Sequence, residues 1–294
     1  MEHILTALPW ARRLTQVRQI LRHVPVVSVL ILLVFIVFGI FGNYFMPHEA
    51  TKAHFGDVLT PPMWQEGGSA EYILGTDHLG RDILSRIIGG ATISLEVGFI
   101  VIFFAGALGV VVALLSGYLG GRIDAVLMRI TDMFLSMPFL MIAIVLAAVL
   151  GASTKNIIIV LVTLGWAGYA RVLRGEVLRI KERDFVLLAR VARCSKTRIM
   201  LRHIFPNIVN TLVVLGTLQL GQVIIAESSL SFLGLGVPPP APAWGSMVGD
   251  GRDLIFSAWW VSFFPGMAIL FVVMSTNLLG DWLRIRLDPK FRQL

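Results

Sequence analysis

Charge is scarce in this chain and cysteine nearly absent. Only 15% of its 294 residues are charged, where ordinary soluble proteins carry about a quarter. Hydrophobic residues make up 56% and the mean hydropathy is +0.80, which excludes a soluble globular domain and indicates an integral membrane protein. A single thiol, Cys194, excludes an internal disulfide and a multi-thiolate metal site. No Gly-Lys pair occurs, so there is no Walker-type loop to cradle nucleotide phosphates. The six histidines (His3, His23, His48, His54, His78, His203) form no HExxH, and no Gly-x-Ser-x-Gly elbow is present. No catalytic constellation and no metal site follow from these residues. The net charge of +7 does not indicate nucleic acid, because the basic residues are distributed by membrane topology.

Six apolar segments are long enough for a ~30 Å hydrocarbon core: residues 24–45, 95–119, 125–150, 156–173, 208–229 and 258–280. The first follows Arg12, Arg13, Arg18 and Arg22, but it is too long for a signal peptide and ends in Asn43-Tyr-Phe-Met-Pro47 with no small-residue cleavage site. With the N-terminus inside, twenty of the 25 Lys and Arg fall in inner segments, and only Lys52, Arg81, Arg86, Lys155 and Arg252 in outer ones. This positive-inside asymmetry sets both termini in the cytoplasm of a multi-pass, all-α chain. The expected organisation is a cytoplasmic tail over 1–23, a first span over 24–45 and an outer loop over 46–94. A five-helix core follows over 95–280, interrupted by an inner loop at 174–207, and a cytoplasmic tail over 281–294 closes the chain.

Near the end of the first outer loop, Ile83, Leu84, Ile87 and Ile88 oppose Arg81, Asp82, Ser85 and Arg86, a pattern that predicts a short amphipathic helix on the outer membrane surface. In the second span Ala105, Gly109, Ala113 and Gly117 recur every fourth residue, so one side is small throughout and admits another helix, from this chain or from a partner. Asp132 and Arg129 are spaced to pair at i, i+3 near the inner end of the third span, and Pro138 is expected to kink it. Glu227, near the outer end of the fifth span, is either interfacial or part of a pathway, since intramembrane charge is by default a functional candidate. The second outer loop, Phe232-Leu-Gly-Leu-Gly236 followed by a proline-rich run to Trp244, is expected to dip into the bundle. Trp259 and Trp260 are expected to mark the interface where the last span starts.

The longest charged segment lies between the fourth and fifth spans. From Arg171 to Arg202 there are ten Lys and Arg against Glu176, Glu182 and Asp184. Phe185, Leu188, Ala189 and Ala192 share one helical face, and a second apolar set follows Ser195. Two short helices joined by a turn are expected, with Ser195 as N-cap of the second and Pro206 closing it. This loop, with Asp184-Phe-Val186, Ala189-Arg190 and Arg202-His-Ile-Phe-Pro-Asn207, resembles the cytoplasmic "EAA" loop of membrane subunits of ATP-binding-cassette importers. It is most similar to the C-type permeases of the dipeptide, oligopeptide and nickel branch. The string GTDHLGRDILSR (75–86), the run from Ser229 to Trp244 and the C-terminal Asn277 to Lys290 resemble the same family. Leu187 and Leu188 stand where that loop has Glu-Ala, and Arg193 stands where it usually has Gly.

The resemblance implies a type I importer permease fold and half of a translocation pathway for peptides. It implies that the chain lies in the cell inner membrane and has four kinds of partner: a second homologous permease, two ATPase subunits, an extracytoplasmic solute-binding protein and membrane lipid. ATP and magnesium would reside on the ATPases and no cofactor on this chain, which would not itself be an enzyme. The residues implied to engage the ATPase are Asp184, Phe185, Leu188, Ala189, Ala192, Arg193, Ser195, His203 and Pro206. Those placed by a pathway or external gate are Asp132, Glu227, Phe232 and Leu233. The alternative, an ion-gradient-driven secondary transporter, expects midplane ionisable residues and two repeated halves with broken helices, and no repeated half is visible in the sequence.

Overall fold

A computed structural model describes residues 24–287. The tails at 1–23 and 288–294 lie outside the described residues, and the expectations placed on them are not taken further. The described chain is helical, and its one β-bridge joins Thr76 and Asp82. In chain order the helices are α1 (Val26–Phe45), α2 (Ile83–Leu114), α3 (Gly121–Ser136), α4 (Phe139–Leu150), α5 (Thr154–Ile180), α6 (Asp184–Val191), α7 (Lys196–Arg198), α8 (Phe205–Phe232), α9 (Trp244–Asp250) and α10 (Trp260–Leu287). Five continuous helical stretches are long and apolar enough to cross a bilayer, and α3 with α4 makes a sixth span if the bent pair is taken as one.

Several boundaries differ from those the apolar runs suggest, each for a local reason. Residues 83–94 are not a separate surface helix: Asp82 caps α2 by accepting the N–H groups of Leu84 and Ser85 at 3.3 and 2.9 Å, and the helix runs unbroken from there into the membrane span. The expected third span is broken at Met137-Pro138, and its halves meet at 88°. Proline disfavours helical geometry in the residue before it, and Met137 is extended (φ −80°, ψ 138°). Past their apolar runs α5 continues to Ile180 and α10 continues to Leu287, because Arg and Lys are good helix formers whether or not lipid surrounds them.

The small-residue stripe of α2 packs within this chain, against α5. A Cβ added at Gly109 would collide with Tyr169 Cβ and lie 3.0 Å from the Trp166 carbonyl oxygen, and one at Gly117 would lie 2.7 Å from Val177 Cγ1. Ala105 and Ala113 are buried on the same side, so the stripe does not wait for a partner permease. Leucine at Gly109 is therefore expected to disrupt this chain itself, since overpacking a close-packed contact costs about 1–3 kcal/mol. Thermal unfolding of the purified Gly109→Leu permease, without partner subunits, should fall well below wild type. An unchanged melting temperature would place the stripe on an outer face.

Candidate functional site

The loop between α5 and α8 is built on α5. Its last turn is followed by the Lys181-Glu-Arg183 turn, and α6 then packs Val186 and Ala189 against the ends of α2, α5 and the following helix, with Ile199 and Ile204 buried in the same cluster. α6 ends in a full Schellman turn: the N–H of Cys194 donates to the Ala189 carbonyl (3.1 Å) and that of Arg193 to the Arg190 carbonyl (2.9 Å). That closure needs a left-handed residue, and Arg193 supplies it at φ 55°, bearing strain that the glycine of the resembled loop would avoid. Arg193→Gly is expected to stabilise the loop by about 1–2 kcal/mol, read as a rise in melting temperature with the fold otherwise unchanged. A fall would show that the guanidinium makes compensating contacts.

Ser195 caps the next helix as expected, accepting the Arg198 N–H at 3.3 Å. Pro206 does not close that helix. From Lys196 to Phe232 the chain is one 37-residue helix, with a π turn at Ile199–Ile204 in which the Phe205 N–H reaches the Met200 carbonyl. Proline clashes with the carbonyl four residues back, and the wider turn just before Pro206 displaces that carbonyl, so the helix continues. His203 sits half-buried in the π turn, its carbonyl accepting from Asn207 Nδ2 at 2.7 Å.

The face that α6 presents outward differs from the expected one by a fraction of a turn. Phe185, Leu188 (67% exposed) and Ala192 are exposed, Leu187 and Val191 (80% exposed) extend the surface, and Asp184 is exposed at the helix start. Ala189 is buried inside the chain and leaves the set. The shift comes from Val186: a β-branched apolar residue one position from Phe185 gives the helix two competing apolar sides, and the larger residues take the exterior.

The pathway candidates do not converge. Asp132 pairs with Arg171 on α5 rather than with Arg129, because α3 crosses α5, and Asp124 on the same helix is held bidentately by Arg174 (2.6 and 2.6 Å). Glu227 is not interfacial: it is 1% exposed, accepting from Ser231 Oγ at 2.7 Å and Ser228 Oγ at 3.4 Å. Ser231 Oγ in turn accepts the Val237 N–H (3.3 Å), which fastens the proline-rich segment to the end of α8. Val237 and Ala243 are buried in the bundle there, and Gly245 lies against Ser228 too closely for any side chain. Phe232 and Leu233 are exposed and border a cavity of about 330 Å³ between α8, α9 and α10.

Sequence reasoning missed the charge clasp around Asp77. Asp77 Oδ2 accepts from Arg81 Nε (2.7 Å) and Arg86 NH1 (2.8 Å), while its Oδ1 accepts the N–H groups of Leu79 and Arg81. Asp250 on α9 approaches the same guanidinium groups at 3.5 and 3.8 Å. Burial pushes the Asp250 carboxyl above its ordinary range, against the pull of His78 and Arg81. Asp77, Arg81, Asp82 and Arg86 are all buried, so the expected polar face of a surface helix is an internal charge cluster. Trp260 belongs to it as well, donating to the Thr76 carbonyl at 3.1 Å from a buried position rather than marking an interface. Beside it Tyr72 donates to Asp57 (3.1 Å), and burial together with that hydrogen bond pushes its hydroxyl up to about 12. Density of Thr, Asp, Arg and Ser in one twelve-residue string was the available signal. Among the described residues no group of three or more His, Cys, Asp or Glu is placed to hold a metal ion.

Comparison with known proteins connects this geometry to a family. Residues 105–293 match the family described as "Binding-protein-dependent transport system inner membrane component". The chain is 41% identical over 251 residues to the dipeptide transport system permease protein DppC of Escherichia coli (strain K12), covering 85% of this chain and 84% of that one. It is 39% identical over 246 residues to the di/tripeptide transport system permease protein DppC of Pseudomonas aeruginosa (strain UCBPP-PA14), covering 84% and 81%. It is 37% identical over 283 residues to the glutathione transport system permease protein GsiD of Pectobacterium atrosepticum, covering 96% and 90%. A helical bundle of membrane-crossing length, an apolar helix projecting from the loop before α8 and this likeness over most of its length agree: the chain belongs to the binding-protein-dependent transport system inner membrane components, the permease subunits of ATP-binding-cassette importers.

Proposed function

We propose that this permease carries di- or oligopeptides, forms half of the pathway with a second homologous permease, and receives its driving force through α6 from two ATPase subunits. An extracytoplasmic solute-binding protein delivers the cargo, and ATP and magnesium stay on the ATPases. The termini and the α5–α8 loop face the cytoplasm, supported by twenty inner against five outer Lys and Arg. The observation that carries the coupling reading is the projecting apolar face of Phe185, Leu188 and Val191, on a helix anchored by Val186 and Ala189 to the ends of two spans. Apolar side chains held at a loop tip outside the bilayer are otherwise unfavourable, and an exposed patch of this kind marks a protein contact. The peptide cargo is supported by the names of the relatives.

The decisive experiment is uptake of a dipeptide into proteoliposomes holding the permease pair, the ATPases and the binding protein. Uptake is expected with ATP as sole energy source and without any ion gradient. Uptake by this chain alone, driven by a proton or sodium gradient, would replace this reading with a secondary transporter.

A further inference from the structure

Behind α6 lies a cavity of about 440 Å³. Its walls are Tyr118 at the end of α2, Lys181 and Glu182 after α5, Arg190 and Cys194 around the Schellman turn, and Lys196 at the start of α7. Three cations thus face one acid. Among the described residues none of Lys181, Arg190 and Lys196 pairs with a carboxylate. Asp124, whose field reaches Lys181, is committed to Arg174.

Neutral contacts hold two of the three cations in place. Lys181 Nζ donates to the Gly117 carbonyl at 3.1 Å. Arg190 donates to the Lys181 carbonyl at 3.2 Å while its guanidinium lies over the Tyr118 ring, 5.6 Å from the centroid. An ammonium has three donors and a guanidinium five, so both heads keep donors free for an anion. A phosphate group suits the site: it accepts several charge-assisted hydrogen bonds at once and pairs with the planar fork of arginine. The cavity also lies between the helix that ends α2 and the end of α5, and basic pockets between helices on the cytoplasmic side take anionic headgroups.

We propose that this pocket binds a phosphate-bearing anion, the headgroup of an anionic phospholipid or free phosphate, which clamps α6 to the ends of α2 and α5. The clamping role rests on the coupling reading; occupancy of the pocket does not.

The test follows Cys194, which lines the cavity, in the full complex reconstituted in nanodiscs of phosphatidylcholine alone or with phosphatidylglycerol added. Its reaction with a neutral water-soluble maleimide is expected to slow about tenfold when the anion is present at ten times its dissociation constant. Slowing by phosphatidylglycerol alone assigns the lipid headgroup, and slowing by inorganic phosphate in phosphatidylcholine discs assigns free phosphate. Both effects should vanish in Arg190→Gln and in Lys196→Gln, the latter an exposed side chain whose loss leaves the loop's packing intact. Native mass spectrometry of the same complexes supplies a readout independent of thiol access: one phosphatidylglycerol retained per copy of this chain, lost in both variants, for the lipid case. No slowing and no retained lipid with either probe overturns the proposal, as does slowing that persists in both variants. Neither measurement uses peptide uptake or ATP hydrolysis, so failure of the transport reading would leave them unaffected.

Discussion

Leu188→Asp is expected to leave an inserted, folded permease that has lost its ATPase subunits and all ATP-driven uptake. Leu188 is 67% exposed in this chain, and a surface substitution of that kind changes stability by no more than about 0.5 kcal/mol. In a cleft of the ATPase the same aspartate would be a buried charge without a partner, at a cost of about 3–5 kcal/mol, which weakens association by about two to three and a half orders of magnitude at about 1.4 kcal/mol per tenfold. Copurification of the ATPase and its stimulated hydrolysis should fall together while membrane content stays constant. Ala189→Asp cannot make this distinction, because Ala189 is buried against its own chain and an acid there would unseat α6 before any partner arrived. Full recovery of the ATPase with Leu188→Asp would remove α6 from the interface.

Asp77→Asn is expected to destabilise the permease by about 3–5 kcal/mol, the effect of removing one partner from a buried charge cluster. Arg81 and Arg86 would be left buried with only the more distant Asp250 near them. Asparagine preserves the shape and an acceptor oxygen for the Leu79 and Arg81 N–H groups, so the loss reports the charge and not the turn. The variant should accumulate poorly and unfold well below wild type. A melting temperature close to wild type would mean that water, and not Asp77, compensates the two guanidinium groups.

Much of the architecture was legible because bilayer insertion imposes a strong pattern. Six apolar runs mark the spans, five of them continuous helices and one the bent α3–α4 pair, Pro138 marks the break between α3 and α4, and Ser195 marks a helix start. What periodicity could not settle was which side of a helix meets what. The period-four stripe of Ala105, Gly109, Ala113 and Gly117 fits a neighbour from either chain, and only the contact with Tyr169 and Val177 assigns it to α5. In α6 the residues Phe185, Val186, Leu188 and Ala189 satisfy two faces equally, and burial of Val186 and Ala189 decides between them. From sequence Arg86 falls on the polar face of a surface helix, and Glu227 is either interfacial or part of a pathway. Their partners, Asp77 and Ser231, become visible only when loop and helix are folded together. Pro206 looks like a stop from sequence because nothing there announces a π turn.

That uninterrupted helix from Lys196 to Phe232 joins the two sides of the membrane mechanically. At 1.5 Å per residue a rod of this length spans about 55 Å. One end is capped by Ser195 beside α6, the helix proposed to meet the ATPase, and the other carries the serines that fasten the proline-rich segment through Glu227 and the Val237 N–H. A tilt of about 10° around its midpoint would swing each end of such a rod by about 5 Å, in opposite directions. Push the Ser195 end one way and the proline-rich segment at the Phe232 end moves the other, with the π turn at Ile199–Ile204 the one irregular joint that absorbs part of the stroke.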